Sequence, residues 1–123
     1  MSRAARSRER VVTPRRDVTH AVVRRLALAL PGAVESSHFR RPDFRVRNRI
    51  FATLPPDRRA VVLKSRRANL DALVSSDEDT FWDEWRGRWL GVRLDRITRP
   101  ALRELIADAW RIVAPKKLAD ALE

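Results

Sequence analysis

No cysteine occurs among the 123 residues, which excludes disulfides and thiolate metal sites while leaving the redox compartment open. No apolar run approaches the ~20 residues a helix needs to cross a bilayer, and the N-terminus lacks the apolar segment of a secretory signal. A cytoplasmic protein with no membrane partner is the expectation. Also missing are a phosphate loop, a glycine-rich dinucleotide turn and a nucleophile elbow. Asp77, Glu78 and Asp79 lack the D-x-D-x-D-G spacing that wraps a loop around calcium, so they read as a solvated acidic loop. Neither a metal nor a cofactor is expected. The histidines are His20 and His38 alone. Catalysis by His38 would need a positioned partner, Glu35 or Asp43, and a strand-edge histidine bonded to a neighbouring carboxylate is the commoner arrangement. The expectation is a protein that is not an enzyme and has no catalytic residue.

Lysine is scarce and arginine abundant. Of 27 basic residues only Lys64, Lys116 and Lys117 are lysines, against 16 acidic residues and a net charge of +11. Such a field favours polyanionic partners whatever the fold. A coding bias towards arginine is the competing explanation, and position separates the two. Residues 1 to 16 carry net +5 and residues 40 to 67 net +8, leaving −2 on the rest of residues 17 to 123. A bias would spread arginine over every exposed position, whereas charge gathered on one stretch looks like a contact surface.

Residues 1 to 12 are polar and arginine-dense without apolar periodicity, and so predict a flexible basic arm ahead of a single domain over 13–123. Thr13-Pro14 reads as a cap and first helical position, and Val18, Val22, Leu26, Ala29 and Leu30 predict a helix from Pro14 to Leu30 that Pro31-Gly32 stops. A first strand is expected from Val34 to Phe39. Phe44-Arg45-Val46-Arg47 alternates with period two, placing Phe44 and Val46 inward and offering Arg45 and Arg47 to solvent. Strands at Ile50–Leu54 and Ala60–Lys64, joined by Pro55-Pro56-Asp57-Arg58-Arg59, complete an antiparallel meander. Ser65 is expected to cap a short helix through Leu73. Ser75 to Arg88 reads as a partly helical loop in which Trp82 and Trp85 share a helix face, and Trp89–Leu94 as the last strand, with Gly91 marking a bulge or a close backbone approach. Thr98 caps a helix with Leu102, Leu105, Ile106, Ala109 and Val113 along one stripe, and Pro115 begins a short terminal helix.

The order of a helix ending in LALPG, then E-x-x-H-F-x-x-P-x-F, FRV…IFATL, W-x-G-V-x-L and AWRIVAPKKLA resembles the MmcQ/YjbR family of small bacterial proteins over roughly Thr13 to Leu118. The resemblance implies an α+β fold similar to the frataxin-like, double-wing architecture, with helices on one face of an antiparallel sheet. It also implies a DNA-binding protein, a description of the family largely inferred from fold. Pro42, Phe44, Phe51, Trp89, Val92 and Trp110 match family landmarks and are expected to pack the core. Where the family usually has a glycine-containing turn, Arg47-Asn48-Arg49 stands here, so Asn48 is expected to take any left-handed conformation.

The expected function is DNA binding through phosphate contacts. The candidate contacts are Arg40, Arg41, Arg45, Arg47, Arg49, Arg58, Arg59, Lys64, Arg66 and Arg67, because the planar fork of arginine meets two phosphate oxygens at once. Phe39 is a candidate for base stacking beside the basic residues, with core burial as the simpler expectation. A module that docks an acidic protein is the alternative, and a small-molecule binder around His38 a third.

Overall fold

The computed structural model describes residues 17–122. The expected arm over 1–12 and the Thr13-Pro14 cap lie outside them. Six strands, β1 (Ala33–His38), β2 (Arg41–Val46), β3 (Arg49–Thr53), β4 (Ala60–Lys64), β5 (Phe81–Trp85) and β6 (Trp89–Arg93), form one antiparallel sheet in the order β1-β2-β3-β4-β6-β5. Four helices, α1 (His20–Leu28), α2 (Arg67–Ser76), α3 (Arg99–Val113) and α4 (Lys116–Leu122), make this an α+β fold. Helices cover one face of the sheet. Among the described residues no helix is long and apolar enough to cross a membrane.

Helix α1 begins at His20 rather than at Pro14. Asp17 to Thr19 are not helical, and Thr19 is the N-cap, its hydroxyl accepting from Val22 N at 3.4 Å. Val18 before the cap and Val23 one turn later are both fully buried, the two positions of a hydrophobic staple. Arg59, just ahead of β4, fixes this entry: its Nε and Nη2 donate to Val18 O at 3.1 and 3.0 Å. His20 Nε2 lies 2.9 Å from Ala60 O and strengthens the same junction.

The core fills the space between the helices and the inward face of the sheet. Phe44 and Val46 of β2, Phe51 of β3, Val61 and Leu63 of β4, and Leu90 and Val92 of β6 meet Leu102, Ile106, Ala109, Trp110 and Val113 of α3. Thr98 caps α3 as expected, accepting from Ala101 N at 3.4 Å, and the Trp110 indole donates to Pro31 O at 2.9 Å. Leu105 is only partly buried, because it lies at a hollow of about 230 Å³ between α2 and α3 rather than beneath them.

Three expectations give way to packing. Ser65 does not cap α2; its hydroxyl donates to Arg66 O, and Arg66 occupies the cap position without a side-chain bond. Residues Phe81 to Trp85 form an edge strand, not a partly helical loop. A register shift between Asp83 and Trp85 brings Trp85 opposite Trp89 while Trp82 stays opposite Gly91, so Trp82 and Trp85 share a sheet face at a spacing that mimics a helix. Trp82 pairs with Gly91, where a Cβ would collide with the indole, and this is the close approach that the glycine signalled. Trp89, finally, is not in the core: it pairs with Lys64 and lies only half buried on the opposite face.

Candidate nucleic-acid interface

Strand register sends His38, Arg41, Asp43, Arg45, Thr53, Val62, Lys64, Trp89, Arg93 and Trp82 to the face without helices. At its β1–β2 side the centre is Asp43, whose carboxylate has 0% exposure. It accepts from Arg45 Nε at 2.8 Å, from Arg45 Nη2 at 3.0 Å and from His38 Nδ1 at 2.7 Å. Burial pushes the Asp43 carboxyl up, but the hydrogen bonds and charges of Arg45 and His38 outweigh it and hold it below the usual carboxylate range. The Arg45 guanidinium is correspondingly raised by its bond to Asp43. Arg45 Nη1 also donates to Asn48 Oδ1 at 2.8 Å, and Arg41 Nε to Thr53 Oγ1 at 3.1 Å.

The β5–β6 side is aromatic and cationic. The Arg58 and Arg93 guanidinium groups lie over the Trp82 ring, 5.8 and 5.5 Å from its centre, and the indole donates to Glu84 Oε1 at 2.7 Å. The Lys64 ammonium sits 5.0 Å over Trp89 and the Arg86 guanidinium 5.0 Å over Trp85. The β5–β6 turn places Arg86 and Gly87 in the left-handed region, at φ 49° and 68°. Glycine at 87 leaves room for the Arg67 guanidinium, which donates to Arg86 O at 3.0 Å.

Two hollows meet at Trp85, which is 51% exposed. One, of about 710 Å³, is edged by Lys64, Arg66, Arg67, Arg86 and Arg88. Among the described residues none of these five cations forms an ion pair. The other, of about 340 Å³, is a saddle to which every strand contributes: His38, Arg41, Ile50 and Thr53, Val62, Trp89, and Glu84 with Trp85.

The nine arginines and one lysine that the sequence points to thus do not form one face. Arg45, expected to face solvent, is held against Asp43 with its side chain 19% exposed. Arg49 turns to the helix side, where its Nη1 donates to Val113 O at 3.4 Å at the C-terminal end of α3, and Arg59 serves the Val18 junction. Arg40 and Arg47 are exposed in the β1–β2 and β2–β3 turns, Arg41 is tied to Thr53, and Arg58 lies by Trp82. Lys64, Arg66 and Arg67 remain together at the larger hollow. Arg86 and Arg88, which join them there, were not singled out: their signal was the alternation of Trp85, Arg86, Arg88 and Trp89 about Gly87, hidden inside a stretch that reads as acidic.

Phe39 is not in the core. It is 97% exposed at the tip of the β1–β2 turn, its ring centre 6.2 Å from that of His38. Phe39 and Arg40 both have positive φ, 49° and 64°, in a two-residue turn that ordinarily takes Asn and Gly. In the β2–β3 turn Asn48 is left-handed as expected at φ 67°, and Arg47 is left-handed too at 53°.

A crystal structure of Deinococcus radiodurans protein DR2400, a DUF419 domain, resembles this chain with a TM-score of 0.70 at 20% identity, covering 85% of this chain and 87% of that one. At that identity the likeness speaks for the fold alone. No curated protein matches the sequence significantly. A model of the YjbR family matches residues 28–112, a span that runs from the end of α1 through the whole sheet and nearly all of α3; the chain belongs to the YjbR family.

Proposed function

We propose that the protein binds nucleic acid through its phosphates, at the hollow edged by Lys64, Arg66, Arg67, Arg86 and Arg88. The observation that carries this reading is the grouping of five cations with no carboxylate among the lining residues and no ion pair among the described ones. Mutual repulsion makes such a cluster costly on its own, and a polyanion relieves it. Arg66 and Arg67 add to the cost, since cations at the start of α2 oppose its dipole. The exposed Trp85 beside them supplies the flat apolar surface that nucleic-acid sites combine with positive charge.

The role is binding, not catalysis. Asp43 is shared between His38 and Arg45, so the pair His38–Asp43 serves as a clamp joining β1 to β2. The test compares two double charge reversals of equal size. Arg66→Glu with Arg88→Glu removes exposed cations of the hollow, while Arg103→Glu with Lys117→Glu removes exposed cations of α3 and α4. Duplex DNA should lose affinity sharply for the first pair and only weakly for the second. Equal losses would mean that net charge alone acts and that the site is misplaced.

A further inference from the structure

Where the phosphates and the bases of a bound strand would lie is a question of charge. The larger hollow has five cations and no carboxylate in its lining, whereas the saddle beside it has Glu84 in its wall and Arg41 already bonded to Thr53. Phosphate is therefore favoured in the first, while in the second the Glu84 carboxylate offsets the charge of Arg41. The saddle suits a flat, uncharged group. Trp85 and Trp89 give it aromatic walls and Ile50 and Val62 an apolar floor, and His38, oriented by Asp43 through Nδ1, has no partner at Nε2 among the described residues. At about 340 Å³ it stands at the small end of the ~300–1,000 Å³ of small-ligand sites.

We infer that the saddle takes an unstacked base of a single-stranded nucleic acid, whose backbone continues past Trp85 onto the Lys64, Arg66, Arg67, Arg86 and Arg88 cluster. This rests on the proposed phosphate binding and adds the class of nucleic acid. A duplex keeps its bases stacked and cannot fill the saddle, so single strands are preferred at equal phosphate number. His38 Nε2 and the Glu84 carboxylate offer hydrogen-bonding groups to the edge of the base, and Trp85 stacks on its face.

The experiment uses the full chain with three probes of equal phosphate number: oligothymidylate, an abasic oligomer of the same length, and a DNA duplex of half that length. Oligothymidylate should bind on the order of 10- to 100-fold more tightly than the abasic oligomer, the scale of one stacked base. Trp85→Ala should erase that preference, and Trp85→Phe should keep most of it. Trp85 is half exposed, so both variants are expected to fold, and thermal unfolding checks this. Equal binding of oligothymidylate and the abasic oligomer overturns the base site and leaves phosphate binding standing. Tighter binding of the duplex than of the single strand also overturns it. Failure of all three probes to bind removes the phosphate reading itself.

Discussion

Replacing Asp43 by Asn keeps the side chain's shape and removes its charge at the one fully buried carboxylate among the described residues. The native carboxylate accepts three hydrogen bonds, two from Arg45 at 2.8 and 3.0 Å and one from His38 at 2.7 Å. An amide offers one oxygen, and its NH2 group then faces N–H donors of Arg45 or His38. Removing one partner of a buried ion pair costs about 3–5 kcal/mol. Because Arg45 is 19% exposed and keeps its bond to Asn48, the expected loss lies at the low end, about 3 kcal/mol. The pH dependence has a definite sign. The folded carboxyl titrates below its unfolded value, so its stabilisation is complete above about 3.9, the unfolded pKa, and is lost as pH falls through the lower folded value. Urea denaturation of both proteins across a pH series should show a constant difference near neutrality that shrinks in acid. A difference under about 1 kcal/mol at neutral pH, the scale of an exposed pair, or one that widens in acid, would mean that Asp43 does not act as a buried, paired carboxylate.

Two further stability predictions follow from packing and backbone conformation. Ile106→Ala, at a buried position of α3 facing the sheet, should cost about 2–5 kcal/mol in chemical denaturation, and a loss near 0.5 kcal/mol, the scale of a surface change, would mean that α3 is not docked as described. Replacing Phe39-Arg40 by Asn-Gly should stabilise the protein by about 2 kcal/mol, since each left-handed non-glycine residue costs roughly 1–2 kcal/mol; no gain in thermal or chemical denaturation would show that the turn is unstrained.

Period-two and period-3.6 patterns made most of the fold legible. The alternation in Phe44-Arg45-Val46, the run Ala60–Lys64 and the stripe of α3 each appear where the sequence places them. Strand β5 was hidden by a local irregularity, because its bulge gives Trp82 and Trp85 a helical spacing on a sheet face. The site was legible as charge but not as geometry. Alternation says that Arg45 leaves the core; it does not say that Asp43, two residues away on the same face, will be buried against it. Nor does local sequence show that Arg49 reaches Val113, that Arg59 reaches Val18, or that Arg86 and Arg88 will join Lys64 and Arg66, since those contacts depend on how distant segments pack. Phe39 escapes local reading because an exposed phenylalanine in a left-handed turn contradicts both burial and turn propensity, a conflict that marks functional positions more often than structural ones.

Phosphate binding at the five-cation hollow is read from the salt dependence of affinity for duplex DNA. If about five phosphates are neutralised, log K against log salt should fall with a slope of about −4.5 or steeper, and Arg66→Glu with Arg88→Glu should make it shallower by about 2. A slope near zero in the native protein, or one that the double variant leaves unchanged, would contradict the account.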